Sequence, residues 1–130
     1  AFERLIGRGR PCYVSLEKIG FREAVAILHG AGGAVSVAHP CLMRVRDWDL
    51  FLDSLVAAGV DGLETVYPYR TSPTTELTIA PELLAAKADR RNLLTTGGSD
   101  DHGLDSTKVT LGQIRLAYEH VAALRRIAGV

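Results

Sequence analysis

The sequence predicts a parallel α/β fold of alternating helices and strands. Two observations carry that reading. Stretches with apolar residues at i, i+3, i+4 and i+7 alternate with short apolar runs rich in β-branched residues, the pattern of strands joined by crossover helices. Glycine or proline punctuates the junctions and so sets where elements end.

The elements follow in order. Residues 1–20 are irregular, broken by Gly7, Gly9, Pro11 and Gly20. They carry Arg4, Arg8 and Arg10, which read either as a solvated linker or as a lip facing phosphate. Phe21, Ala24, Val25 and Leu28 mark a helix over Phe21–Ala31, with Gly32-Gly33 as its stop. Ala34-Val35-Ser36-Val37-Ala38 reads as a buried strand ended by His39-Pro40. Asp47 is the expected N-cap of a second helix through Phe51, Leu52, Leu55 and Val56, stopped at Gly59. Gly62-Leu63-Glu64-Thr65-Val66 is the second strand, and Tyr67-Pro68-Tyr69-Arg70 the loop after it. Ser72-Pro73 is placed to open the next helix, and Pro81 is expected to kink or divide it between residues 73 and 91. Leu93-Leu94-Thr95-Thr96 is a third strand, running into Gly97-Gly98-Ser99-Asp100-Asp101-His102-Gly103. Leu111–Ile114 is read as a short fourth strand, and Ala117, Val121, Leu124 and Ala128 mark a final helix.

With 130 residues, one domain over 1–130 is the expectation, since a chain of this size buries a real core. Lys+Arg and Asp+Glu are 15 each, so the net charge is zero. That removes the broad electrostatic argument for a nucleic-acid coat or a membrane-surface protein, though not for a nucleotide held in a local pocket. No apolar run approaches the roughly 18 residues of a spanning helix, and no secretory leader is visible, so a cytoplasmic setting away from membranes is expected. Cys12 and Cys41 are then expected to be reduced, with Cys41 acting as a small buried hydrophobe. The chain opens on Ala1 and its one methionine is Met43, so the gene product is expected to begin upstream.

In parallel α/β folds chemistry gathers beyond the carboxyl ends of the strands. His39 follows the first strand, Glu64 lies near the end of the second, and Asp100 and His102 follow the third. Residues at i and i+2 of an extended segment face one side, so Asp100 and His102 can grip one ion or two adjacent ones. Imidazole and carboxylate donors suit zinc, manganese or iron. Gly97, Gly98 and Gly103 are expected to let the backbone bend and a ligand approach. Each residue also has a plain reading: His39 as a hydrogen-bonded structural histidine, Asp-x-His as a cap or turn. Glu64, a carboxylate within an apolar strand, needs a partner; it is a ligand, an orienter of a ligand, or half of an ion pair. His29 and His120 read as surface or packing residues, and Asp101 as pointing away from its neighbours' site. Tyr67, Tyr69 and Arg70 leave the second strand together, either to stack on a base and hold a phosphate or as an exposed loop.

Ala31-Gly32-Gly33, Ala38-His39-Pro40, Asp61-Gly62-Leu63-Glu64 and Thr96-Gly97-Gly98-Ser99-Asp100-Asp101-His102-Gly103, in this order, resemble the second half of a PHP domain, the polymerase-and-histidinol-phosphatase family of metal-dependent phosphoesterases. The opening Phe2-Glu3-Arg4-Leu5-Ile6-Gly7 and Pro11-Cys12-Tyr13-Val14 resemble the subgroup acting on nucleoside bisphosphates and RNA ends. The resemblance implies part of a distorted seven-stranded, TIM-like β/α barrel with two or three divalent metal ions (Mn, Zn or Fe) at the strand ends. It implies His39, Asp100 and His102 as metal ligands, with Asp100 and His102 at the catalytic centre. Glu64 is expected beside them, orienting a ligand or the water. The implied substrate is a nucleotide or short RNA phosphate, attacked by a metal-activated water, exonucleolytically or otherwise. The family often has histidines where this chain has Tyr67-Pro68-Tyr69-Arg70, so Tyr67 and Arg70 are expected to face the substrate from their place after the strand and not from the resemblance. The family's His-x-His strand and its further His and Glu ligands have no counterpart here. The missing amino-terminal half of the barrel or a partner chain is therefore expected to supply them, and the chain alone to be inactive or nearly so. Half a barrel also leaves strand edges bare. Two other readings remain: a non-catalytic α/β interaction module, and a C–N hydrolase of the amidohydrolase type. The latter needs a lysine ligand, and Lys18, Lys87 and Lys108 do not follow strands.

Overall fold

Most helices stop where the chain turns left-handed. In the computed structural model, which describes residues 2–69, 76–103 and 111–129, helix α1 spans Phe21–Gly30. Gly32 then takes φ 78°, and the Gly33 N–H returns to the Leu28 carbonyl at 2.9 Å. That closes the helix as a left-handed glycine does. Helix α2, Trp48–Ala57, starts on Asp47, whose carboxylate accepts the Leu50 N–H at 3.0 Å. It ends at Gly59, φ 87°. Helix α3, Pro81–Asp89, ends through Asn92, whose amide side chain tolerates φ 57°. Helix α4 is Tyr118–Ala128, closed by Gly129 at φ 70°.

Strands β1 (Ser36–Val37), β2 (Gly62–Val66) and β3 (Leu94–Gly97) form one parallel sheet in the order β1-β2-β3. Each strand lies beside its predecessor and the order never reverses. That is the progression of successive parallel β/α units. The pairing sets Ser36 opposite Gly62, Gly62 opposite Leu94, and Glu64 opposite Thr96. A bulge separates Glu64 from Val66.

The core sits on one face of this sheet. Leu63 of β2 is fully buried with Leu52 and Leu55 of α2, and with Leu84 and Ala88 of α3. Parity puts Ser36, Gly62, Glu64 and Thr96 on the opposite face together with Leu94, so that face is mostly polar. There the Ser36 and Thr96 hydroxyls are 2.7 Å apart, although β2 lies between their strands. Two strand spacings are roughly 9.6 Å, too far for two short side chains to span across a flat sheet. The sheet therefore curls toward this face. Two glycines are needed for the approach of β2 and β3. A Cβ on Gly62 would lie 2.8 Å from the Leu94 carbonyl oxygen, and one on Gly97 would collide with the Val66 carbonyl and lie 2.6 Å from its Cβ.

The α/β class and the parallel order of the three strands are as the sequence predicts, with differences in detail. Leu111–Ile114 is not a strand. It forms a turn and bends, with Gly112 at φ 88° and the Leu111 N–H held by the Asp101 carboxylate at 2.8 Å. Pro81 does not kink a helix; it occupies the first turn of α3, where a missing N–H costs nothing. The expected opening of that helix at Ser72-Pro73 lies outside the described residues. Residues 7–20 carry no regular element after a π-helical turn at Phe2–Ile6, and Arg4, Arg8 and Arg10 are exposed. Cys41 is a fully buried free thiol and Cys12 an exposed one. Among the described residues no helix is long and apolar enough to cross a membrane.

Candidate functional site

Because the three strands are parallel, their carboxyl ends share one edge. His39 stands two residues after β1, Tyr67 directly after β2, and Asp100 and His102 after β3. Two of these positions are held in unusual backbone. His39 has φ 31° and ψ 54°, and Asp100 has φ 51°. Left-handed backbone at a non-glycine residue costs about 1 to 3 kcal/mol and persists only where its surroundings enforce it.

The end of β2 supplies the enforcement. The Glu64 carboxylate accepts the His39 backbone N–H at 2.8 Å. The Tyr67 hydroxyl donates to the Asp100 carboxylate oxygen Oδ2 at 2.9 Å. The Tyr67 ring also lies against the His39 imidazole, centroids 5.4 Å apart and planes tilted by 58°. One strand end thus grips both neighbours, one by backbone and the other by side chain. In this structure Glu64 fixes the backbone of the loop that carries His39. Proline at position 40 starts a short 3-10 turn, Pro40–Leu42, and is itself buried, so the strand exit is rigid on its far side too.

His102 is turned toward its own loop. Its Nδ1 lies 2.6 Å from the Asp100 carbonyl oxygen and 3.7 Å from the Asp100 Oδ1. Asp101 faces away from this pair. Its carboxylate accepts the N–H groups of Gly103 and Leu111, at 2.7 and 2.8 Å, and ties the loop shut. The glycines here serve different ends. Gly97 allows close strand packing, whereas Gly103, at φ 95° with open space around it, allows the turn. His29 is a surface histidine, its Nε2 2.8 Å from the Asp61 carboxylate, which also accepts the Val35 N–H at 2.6 Å.

The donor chemistry at the strand ends, imidazoles beside a carboxylate, fits a divalent cation. Among the described residues, however, no three His, Cys, Asp or Glu side chains converge into a metal-binding group. The structure therefore brings His39 and Asp100 to one place around Tyr67 and leaves the donor set unclosed. Arg70 lies outside the described residues.

Tyr69 is core, not loop surface: it is buried, and its hydroxyl donates to the Glu64 carbonyl at 2.7 Å. Burial pushes the Tyr69 phenol well above its ordinary range, and the contact with Cys41 adds to the rise. Burial likewise raises the Cys41 thiol, against the opposing hydrogen bond from Tyr69. Both groups hold their protons more tightly folded than unfolded. Their contribution to stability is complete below the ordinary thiol and phenol ranges and is lost as pH rises through the folded-state values. Urea midpoints are accordingly expected to be flat from neutrality to about pH 8 and to fall beyond it. Tyr69→Phe, less stable at neutral pH for want of its hydroxyl, should show the shallower alkaline fall. An equal fall in both would remove Tyr69 as a cause. A cavity of about 690 Å³, lined in part by Thr65, Tyr67, Glu82, Gln113 and His120, opens beside β2 and α3 and includes neither His39 nor Asp100.

No protein-family model matches the chain. Over 103 residues it is 32% identical to a phosphoribosyl 1,2-cyclic phosphate 1,2-diphosphodiesterase from Eggerthella lenta, covering 78% of this chain and 36% of that protein. Its fold matches a crystal structure from Bifidobacterium adolescentis, provisionally described as a metal-dependent phosphoesterase, with a TM-score of 0.70 and 30% identity. That match covers 93% of this chain and 41% of the other. The chain thus spans well under half the length of either relative. Both are phosphoesterases by description, as the motifs around His39, Glu64 and Asp100 lead one to expect.

Proposed function

We propose that this chain, which resembles the carboxyl-terminal part of a PHP-type metal-dependent phosphoesterase, forms one domain and carries one side of that enzyme's centre. The observation that carries the reading is the joint bracing of His39 and Asp100, in left-handed backbone at the strand ends, by Glu64 and Tyr67. His39, Asp100 and His102 hold divalent metal together with donors from beyond these residues, either an amino-terminal half-barrel or a partner chain. When bound, such ions supply Lewis acidity toward phosphate oxygens and lower the pKa of water.

The chain's own residues do the rest. Glu64 fixes the backbone from which the His39 imidazole projects. Asp100 presents its carboxylate on the side of His102, and His102 must leave its contact with the Asp100 carbonyl to reach a cation through Nδ1. Tyr67 faces the substrate, and Arg70 is assigned to it by sequence alone. The polar concave face of the sheet, with Ser36 and Thr96, becomes the inner wall of a closed seven-stranded barrel.

The substrate is a phosphate ester on a ribose unit: a nucleotide, the end of a short RNA, or a cyclic phosphoribosyl compound such as the Eggerthella relative's name describes. The reading is tested by metal content and phosphate release, measured on the 130-residue chain and on the longest natural chain that contains it. A nucleoside 3′,5′-bisphosphate and a short RNA are the substrates, with manganese added and then chelated. Two or more metals and chelator-sensitive phosphate release in the longer chain alone is the expected result. A longer chain that binds no metal sinks the proposal in favour of a non-catalytic α/β module.

A further inference from the structure

The Tyr67 hydroxyl donates to Oδ2 of Asp100, and its ring lies against the His39 imidazole. Tyr67 is anchored at the end of β2, a strand paired on both sides, whereas Asp100 sits on a glycine-flanked loop in left-handed backbone. A carboxylate on such a loop can rotate about its own side chain, and each oxygen can then face the site in turn. With Oδ2 taken by a phenol, rotation is blocked, and Oδ1 is the oxygen turned to the His102 side, 3.7 Å from its Nδ1. The tilted ring contact restricts the His39 imidazole in the same way.

We infer that Tyr67 is a positioning residue for the metal centre. It selects which oxygen of Asp100 meets the cation and sets the orientation of His39, and it acts through those two residues. The inference rests on the metal-centre reading above and adds to it a role for Tyr67 beyond contact with substrate. Outer partners of this kind hold ligands in register, and their loss typically weakens metal affinity by about 10- to 100-fold.

The test is a double-mutant cycle on manganese affinity, measured calorimetrically in the longest natural chain that contains these residues. Tyr67→Phe keeps the ring against His39 and removes the hydroxyl. It is expected to weaken manganese binding at least tenfold, with the metal-free protein melting within about 2 °C of the parent. In an Asp100→Ala background the same change is expected to have less than a threefold effect, because the side chain that accepts the Tyr67 hydroxyl has gone. An unaltered affinity in Tyr67→Phe overturns the positioning role while leaving the metal centre standing. So does an effect of equal size in both backgrounds, which marks a general structural loss. No manganese binding by the parent protein overturns the metal-centre reading and the role of Tyr67 with it.

Discussion

Asp100→Ala, in the longest natural chain that contains these residues, is expected to reduce manganese-dependent phosphate release at least a hundredfold. Loss of a mere partner of a metal ligand costs about 10- to 100-fold, and loss of the ligand itself should cost no less. The substitution removes the acceptor of the Tyr67 hydroxyl as well. It also puts alanine at φ 51°, where an aspartate is tolerated better. Melting temperature must therefore be measured beside activity. Asp100→Asn supplies the control, since it keeps a side chain suited to that backbone and an oxygen for Tyr67. A phosphatase that survives both changes would show that the carboxylate holds no metal.

Leu63→Ala is expected to give the largest loss of stability of any single truncation in the sheet. Leu63 is fully buried, in the central strand, against α2 and α3. Truncating a leucine so placed costs roughly 2 to 5 kcal/mol, transfer and cavity together. That is a large share of the 5 to 15 kcal/mol that typically separates folded from unfolded chains. Leu83→Ala is the reference, because Leu83 is on the exposed side of α3 at 50% accessibility. Urea midpoints should separate the two clearly. Equal midpoints would mean that the helices do not pack on β2 as the structure has them.

The sequence was most legible where local chemistry and tertiary packing agree. Asp47 is an N-cap by residue type and by contact, Gly59 a stop by both, and Leu63 an apolar residue in an apolar strand at the centre of the core. It was least legible where a residue has two uses. Pro81 divides a helix or starts one with the same ring, and only the position of α3 relative to β2 decides which. Leu111–Ile114 has the composition of a strand, but the Asp101 carboxylate ten residues back captures its first N–H and makes it the end of a loop. Tyr67 and Tyr69 alternate along one segment and take opposite fates. One ring meets His39 and Asp100 at the strand ends, while the other is buried beside Cys41. Of the candidate site, the place of His39, Glu64, Asp100 and His102 at the strand ends could be read from strand order alone. The grip of Tyr67 on Asp100 could not, because it joins residues 33 apart through a loop whose shape no spacing encodes.

The hydroxyl bridge from Ser36 to Thr96 bears on assembly. Bending a flat ribbon of strands into a ring stores elastic energy that closure must overcome. Here the arc is already set in the three strands of the described residues, and the bridge holds it. Were this sheet part of the closed barrel proposed above, closing it would cost chiefly the entropy of bringing its two edges to their partners. A wall bent in advance also rejects strands of the wrong tilt, so the same hydrogen bond that lowers the cost of joining narrows the choice of what can join.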